Sequence, residues 1–410
     1  FGRMKKQEKV RPEIRASTAI VGAGPAGLLA AIAHGAGALL LERNPDAGRK
    51  LLVSGAGQCN FSNNLSREDF LRACGRAANF LKPAIYQFGN EDFISLLAEA
   101  GCPTLIREDG KAFPASLRAA DLRDALVRQV LARGARLQTG VYIVDVRRDG
   151  DFILTARDGG IIRCSRLILA GGGCSWPQTG SDGSVYDLAR ALGHSIVEPR
   201  PALASIEVED YAHFRDCAGI SLRDVNAVFH SARGRHAARG DLLWTHTGLS
   251  GPLILDNSHH LDRGDSISLC LLPGAEEKLP RILRQHPRHT LLNALKFASL
   301  PESLIRALLQ HQGIESGQVC AQLSRPTRKR LVALLTSLRL KVSRIESLKT
   351  CMSTAGGVPL AEVRAKSMET ALCPGLFLAG ELLDYSLPSG GFNIQAAAST
   401  GYLAGRQKIY

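Results

Sequence analysis

The residues best suited to chemistry lie in one stretch, 18–60. An apolar run, Thr18-Ala19-Ile20-Val21, leads into Gly22-Ala23-Gly24-Pro25-Ala26-Gly27, and Leu28-Leu29-Ala30-Ala31-Ile32 follows. A GxGxxG turn between a strand and a helix is a pyrophosphate-binding arrangement. Gly22 permits the tight turn, Gly24 lets a phosphate reach the backbone, and Gly27 lets helix and strand pack closely. Ala26 sits in the first helical turn, whose amides and positive dipole end attract anions. A second apolar run, Ala38-Leu39-Leu40-Leu41, ends at Glu42. Glu42 stands at the spacing from Gly22 where a carboxylate meets ribose hydroxyls. A carboxylate there disfavours a ribose carrying a 2′-phosphate. The competing reading is a glycine turn in some other parallel α/β protein, and the crossover helix, closing at Gly35-Ala36-Gly37, is short.

The next segment, 43–64, reads RNPDAGRKLLVSGAGQCNFSNN. A polar, glycine-rich loop of this length inside a compact domain is usually functional. It offers the cations Arg43, Arg49 and Lys50, a backbone rich in turns through Ser54, Gly55 and Gly57, and the thiol of Cys59 beside Asn60. A second place with chemical potential is LLWTHTGLSGP, 242–252, where Trp244, His246, Thr247 and Ser250 lie among glycine hinges. Histidine ordinarily titrates where proton transfer is useful, although a lone histidine is more often structural.

These groups need elements to position them, and the chain is long enough to supply several. At 410 residues it exceeds one hydrophobic core, so two or three domains are expected. No run of eighteen apolar residues occurs, so no membrane span is expected. The basic first fifteen residues lack the apolar core of a secretory signal, and a cytoplasmic location is expected. Ten cysteines are scattered singly, without CxxC. That pattern argues against a disulfide framework, a structural zinc or a dithiol relay, and no metal site is expected.

The net charge is +13, from 51 Lys and Arg against 38 Asp and Glu. The excess concentrates before Arg15, near Arg118, Arg123, Arg128 and Arg133, and above all at 325–349. Arg325, Arg328, Lys329 and Arg330 make a phosphate backbone an apt counterpart. The plain alternative is a solvated basic surface. Aromatics are 5%, so base-stacking platforms are not advertised.

Further along, 67–101 reads as helical, closing at Gly101, and Ser116 is a plausible cap for a helix running to Arg133. Alternating runs at 141–146 and 152–155 flank Asp149-Gly150 and predict a hairpin. Arg166-Leu167-Ile168-Leu169-Ala170-Gly171-Gly172-Gly173 predicts another strand running into glycines. It lacks a full GxGxxG, which favours one bound nucleotide. Short strand-like runs mixed with helical ones at 195–347 predict an inserted substrate-side region. Leu376-Phe377-Leu378-Ala379-Gly380-Glu381 predicts a last strand ending in an acid, and Gly390-Gly391-Phe392-Asn393-Ile394 opens a final helix.

Three segments are far more particular than the glycine fingerprint: GRKLLVSGAGQCNFSNN, LLWTHTGLSGPLIL at 242–255, and TAGGVPLAEVRAKSMETALCPGLFLAGELLDYSLPSGGFNIQAAASTG at 354–401. By these the chain resembles the bile-acid-inducible flavoprotein and aminoacetone oxidase family from about residue 18 to 406. The resemblance implies an α/β fold: a Rossmann-like FAD-binding domain of glutathione-reductase type in two parts, 16–194 and 349–410. An inserted β-rich domain (195–272 and 338–348) and a helical domain (273–337) complete it. It implies FAD as cofactor, held by Gly22, Gly24, Ala26, Gly27, Glu42, Arg43, Lys50, Ser54, Gly55, Gly57, Cys59, Asn60, Val141, Ala170, Gly171, Gly380, Glu381, Gly391, Phe392, Asn393 and Ile394. NADH or NADPH is a possible transient electron donor. The final helix would direct its N-terminus at the flavin pyrimidine edge. Gln58 stands where the family commonly has arginine, and 384–389 replaces a stretch that commonly bears glycine and aspartate.

The family includes small-amine oxidation, bile-acid reduction and a branch forming dihydrouridine in ribosomal RNA. The basic charge favours the RNA branch, with Cys59 and His246 as candidate proton donors. The alternatives are a small-molecule oxidoreductase and a flavin-containing RNA-binding protein without turnover.

Overall fold

The computed structural model describes residues 13–407, so most of the basic N-terminal tail lies outside the described residues. The described residues form two compact units, one made of those up to Arg200 with those from Met352 onward, and the other Pro201–Cys351.

The first unit is built on parallel strands with buried apolar side chains. Strand β1 (Ile14–Val21) leads through the glycine turn into helix α1 (Pro25–His34), and strand β2 (Ala38–Leu41) follows, with every residue buried. Near-continuous apolar runs are what a sheet covered on both faces requires. Each fully buried leucine contributes roughly 1.5–3 kcal/mol relative to exposure. The sheet order is Arg136–Gln138, β2, β1, Ile161–Leu169, Asp151–Ala156, Ile143–Asp149, with Leu376–Leu378 also paired to Ile161–Leu169. The strand Ile161–Leu169 changes partner halfway along one edge. Its first half pairs antiparallel with the expected hairpin and its second half pairs parallel with Leu376–Leu378.

Register aligns the strand ends. Val21 pairs with Leu41 and with Leu169, and Leu169 pairs with Leu378. Glycine turns, Glu42, Ala170-Gly171 and Gly380-Glu381 therefore all leave the sheet at its carboxyl edge, where ligands bind in open α/β sheets. The long final helix (Phe392–Arg406) packs against α1 at backbone distance: a β-carbon on Gly401 would come 2.0 Å from Ala26 O, and one on Gly405 2.2 Å from Ala30 O.

The expected helical stretch 67–101 forms three helices, Arg67–Ala73, Ala78–Gln87 and Asn90–Glu99. The next helix begins at Ala119 and not at the expected cap, Ser116. Leu117 takes a left-handed φ of 55° and closes a turn on Pro114 O, which excludes it from the first helical turn.

The second unit is a closed six-stranded barrel, in order Ile206–Val208, Gly248–Ser250, Gly234–Trp244, Ser221–Ser231, Ser266–Cys270, Leu338–Ile345 and back to the first. Between its last two strands the chain forms helices Ala275–Gln285, Leu291–Leu295, Glu302–His311 and Arg325–Thr336. Barrel and helices share one core, which joins Phe229, Trp244 and Leu269 to Leu279, Leu304 and Leu335. Among the described residues no helix is long and apolar enough to cross a membrane.

Candidate functional site

The glycine turn is shaped by what surrounds it. Gly22, at φ +99°, donates to Leu41 O, and any β-carbon there would lie 2.7 Å from Ala170 O. A β-carbon on Gly27 would sit 1.8 Å from Gly22 O, so glycine alone allows the strand and α1 to meet. Gly24 differs: nothing lies within 4 Å of its β-carbon position. It caps α1 without a side-chain hydrogen bond. The first-turn amides, including those of Ala26 and Gly27, have no intrahelical acceptor and open onto this space.

Glu42 is oriented at the rim. Its Oε2 accepts from Ala23 N at 2.9 Å, and its Oε1 accepts from Asn44 N and Asn44 Nδ2 at 2.9 and 2.7 Å. Asn44 Nδ2 also donates to Thr179 O. A carboxylate has about four acceptor positions, so Glu42 retains capacity for further donors. Val141 N donates to Glu42 O and Gly140 N to Asn44 O, which lays that segment beside the same rim.

Two of the loop's basic residues, Arg43 and Lys50, are engaged by acids distant in the chain, while Arg49 donates to Asn44 Oδ1. Arg43 makes a two-pronged contact with Asp182, at 2.7 and 2.9 Å, and lies over the Tyr142 ring. The Asp182 hydrogen bond raises the Arg43 pKa further. Burial pushes the Asp182 carboxyl up, but bonds from Arg43 and Ser184 outweigh it and hold it below the usual carboxylate range. Lys50 Nζ donates to Glu381 Oε2 at 2.6 Å and to Ser175 Oγ. Glu381 Oε1 accepts from Thr354 N at 2.8 Å and Ser353 Oγ at 3.1 Å. Thr354 Oγ1 accepts from the amides of Cys174 and Ser175, and a β-carbon on Gly173 would overlap it at 2.5 Å. One network thus joins helix α2 (Arg49–Val53), the glycines after Leu169 and the acid after Leu378.

The loop beyond α2 is locally strained. Gly55, Ala56, Gly57 and Cys59 all have positive φ, at 56°, 53°, 85° and 57°. Non-glycine residues in this region are held there by their surroundings, and they cluster at functional sites. Ser54 Oγ donates to Lys50 O, and Cys59 N donates to Ser54 O. Gln58 accepts from the Arg107 guanidinium at 2.7 Å, and Arg107 stacks on Phe113. A positive charge therefore stands beside the loop although residue 58 is neutral. Asn60, with its amide oriented by its neighbours, donates to Ala112 O and Ser62 O and accepts from Gly391 N.

That last contact ties the loop to the final helix. Gly391, at φ +94°, admits no side chain, since a β-carbon would lie 2.4 Å from Ser62 O. Phe392 is buried against the Phe70 ring. The Asn393 side chain grips Leu387 N and O, folding the 387–388 turn onto the helix start. Ile394 follows, partly exposed. Gly380 N donates to Thr400 Oγ1 of the same helix.

The candidate proton donors fall in different units. Cys59 is fully buried in an apolar core, and burial pushes its thiol up to about 12. His246 is exposed on the loop between Gly234–Trp244 and Gly248–Ser250 in the barrel unit. Two other residues of the segment with chemical potential, Trp244 and Ser250, are engaged inside the barrel unit. Trp244 has no exposed surface and stacks on Phe214 at 4.8 Å, and Ser250 Oγ is bonded to Ser205 within the barrel. The basic stretch 325–349 also divides. Arg344 and Lys341 on Leu338–Ile345 pair with Glu207 and Glu209. Arg325, Arg328 and Lys329 on Arg325–Thr336 are exposed and have no carboxylate partner among the described residues, while Arg330 bonds to Gln312 O. Asp182, Ser175, Thr354 and Arg107 were not singled out in the sequence, because each acts through a partner distant in the chain; Asn44 was missed because its role, bridging neighbouring Glu42 to distant Thr179, shows only in the fold.

An open first-turn backbone, an oriented carboxylate at the end of β2 and two further glycine-bearing strand ends define a Rossmann-type dinucleotide flavoprotein. The chain belongs to the HI0933-like protein Rossmann domain family, which it matches over residues 16–407. It is 29% identical to the 3-dehydro-bile acid delta(4,6)-reductase of Clostridium scindens, across 94% of this chain and 97% of that protein. It is 29% identical to the ribosomal RNA dihydrouridine synthase of Escherichia coli (95% and 97% covered) and 30% to that of Haemophilus influenzae (93% and 96%). Its fold is similar to that of a flavocytochrome c3 fumarate reductase in the open conformation, with TM-score 0.52 and 15% identity over 96% of this chain and 78% of that one. The 3-ketosteroid-delta4-(5alpha)-dehydrogenase of Rhodococcus jostii gives TM-score 0.52 and 16% identity, with 96% of each chain covered.

The protein is an FAD-dependent oxidoreductase. The residues present fit a dinucleotide cofactor: the open turn at Gly24 suits a pyrophosphate, and the oriented Glu42 carboxylate suits ribose hydroxyls. Bound FAD supplies two-electron hydride chemistry, while the protein supplies orientation and electrostatics.

Proposed function

We propose that this flavoprotein reduces a carbon–carbon double bond conjugated to a carbonyl, and that its substrate is a uridine in ribosomal RNA. Similar proteins include a 3-dehydro-bile acid delta(4,6)-reductase and ribosomal RNA dihydrouridine synthases, whose reactions both reduce such a bond. The observation that carries the choice of RNA is the exposed cationic face of Arg325–Thr336, where Arg325, Arg328 and Lys329 lack carboxylate partners. A small neutral or amine substrate has no use for such a face, whereas a phosphate backbone does.

Saturating uracil takes one hydride and one proton, with the electrons drawn ultimately from a nicotinamide donor such as NADH or NADPH. Of the two candidate proton donors, His246 is exposed and Cys59 is enclosed, which favours His246 for exchanging protons with a substrate. The test is dihydrouridine mapping of ribosomal RNA from cells with and without the gene. Support is the loss of a modified position that the intact protein restores and Gly24→Glu does not. Unchanged RNA rejects the substrate and leaves a small-molecule reductase or amine oxidase. RNA binding without any product would instead favour a non-catalytic role.

A further inference from the structure

The helices 275–336 carry ten Lys and Arg against four Glu. One of those acids, Glu302, is already shared by Lys296 and Arg306. Arg281, Arg284, Arg288, Arg325, Arg328 and Lys329 have no carboxylate partner among the described residues and are exposed. Charge alone would make this a solvated surface. Two further features make it selective.

The first is a cavity of about 310 Å³ between Ala275–Gln285 and Arg325–Thr336. Leu279, Leu283, Pro287 and Val332 give it apolar walls, and Arg284 and Arg328 supply its cations. The second is an aromatic stack beside it. Phe297 is 57% exposed, and the His286 ring lies parallel to it at 3.8 Å, with His289 edge-on at 6.1 Å. The turn carrying His286 and His289 also carries Pro287 of the cavity wall. It is pinned by bonds from Cys320 N to His289 O and from Ala321 N to Pro287 O. Cavity and stack are therefore parts of one continuous surface.

We infer that this surface docks single-stranded RNA, with one nucleotide seated at the cavity between Arg284 and Arg328 and a neighbouring base stacked on Phe297. An apolar slot flanked by guanidinium groups matches a base with its phosphates, and an exposed aromatic face holds any base by stacking. A duplex hides its base faces and cannot use Phe297, so the site selects unpaired RNA. The inference rests on the RNA reading above and deepens it, assigning recognition to the unit that carries the barrel and its helices.

The test uses the full-length FAD-loaded protein and a fluorescent single-stranded RNA dodecamer, with its duplex as comparison. Anisotropy is read across a salt series. Phe297→Ala should weaken single-strand binding roughly 5- to 100-fold with the salt slope unchanged, since stacking and not charge is removed. Phe297→Tyr should retain binding. Arg284→Ala with Arg328→Ala should lower the log–log salt slope by about 1.4, at about 0.7 per phosphate contact. Flavin content and melting temperature, unchanged in each variant, separate these effects from misfolding. Equal binding of duplex and single strand, or a Phe297→Ala protein that binds as the parent does, overturns the inference. Dihydrouridine mapping fails or succeeds independently. If Phe297→Ala fully restores a missing modification, the docking site is wrong while the function stands. If no modification is ever missing, the function is wrong and the binding assay still judges the surface.

Discussion

Lys50 Nζ lies 2.6 Å from Glu381 Oε2 although 331 positions separate them in the chain. The pair fastens the loop after β2 to the end of strand Leu376–Leu378, and Glu381 also accepts from Thr354 N and Ser353 Oγ. Both side chains keep some exposure, 25% and 18%, so water screens part of the attraction. Glu381→Ala removes the carboxylate on Lys50, leaving it Ser175 Oγ, and the acceptor of the Thr354 amide, and is expected to cost about 1–3 kcal/mol. Flavin retention should fall with it. Urea unfolding and the flavin-to-protein absorbance ratio after gel filtration measure the two effects.

Gly24 and Gly401 should respond oppositely to the same substitution. Gly24→Ala meets open space at an ordinary φ of −78°, so the flavin-free protein should stay within about 0.5 kcal/mol of the parent while FAD affinity drops. Gly401→Ala drives a β-carbon to 2.0 Å from Ala26 O and should cost roughly 1–3 kcal/mol or prevent folding. Flavin titration and denaturation of both variants check the contrast.

Ala56 is held at φ 53° between two glycines of positive φ. Ala56→Gly removes a left-handed penalty of about 1–2 kcal/mol while giving the unfolded chain more freedom. The expected net is a stability gain of up to about 1 kcal/mol in the flavin-free protein, read by thermal melting. A loss of FAD affinity in the same variant would show that the strain positions the loop.

Burial pushes the thiols of Cys59, Cys74 and Cys164 up to about 12 from an ordinary value near 9. In the folded protein the neutral thiol is favoured, whereas the unfolded chain releases its proton from about pH 9 upward. Their contribution to stability is therefore complete below pH 9 and is lost as pH rises towards 12. Melting temperature should decline above pH 9, and less steeply when all three are replaced by alanine. A catalytic pH profile should show no limb from Cys59 in the neutral range. A limb near neutrality abolished by Cys59→Ala would contradict its enclosed environment.

What the sequence determined by itself was local. The turn after Val21, the acid at Glu42, the hairpin at Asp149-Gly150 and the glycine start of the final helix were legible because each depends on residues within one or two elements. Apolar runs such as Ala38-Leu39-Leu40-Leu41 declared burial on both faces, and the family motifs carried the cofactor. Only the tertiary structure decided partnership. A pattern of polarity says that Arg43, Lys50 and Asn60 sit in a loop, but not that Asp182, Glu381 and Gly391 meet them, since those pairings depend on how the sheet brings its strand ends together. For the same reason Trp244, in a segment with chemical potential, is core, and the cations at 325–349 looked alike until strand pairing neutralised Lys341 and Arg344 and left Arg325, Arg328 and Lys329 facing solvent. Phe297 is one residue in a chain poor in aromatics, and it became a candidate platform when folding laid His286 against it.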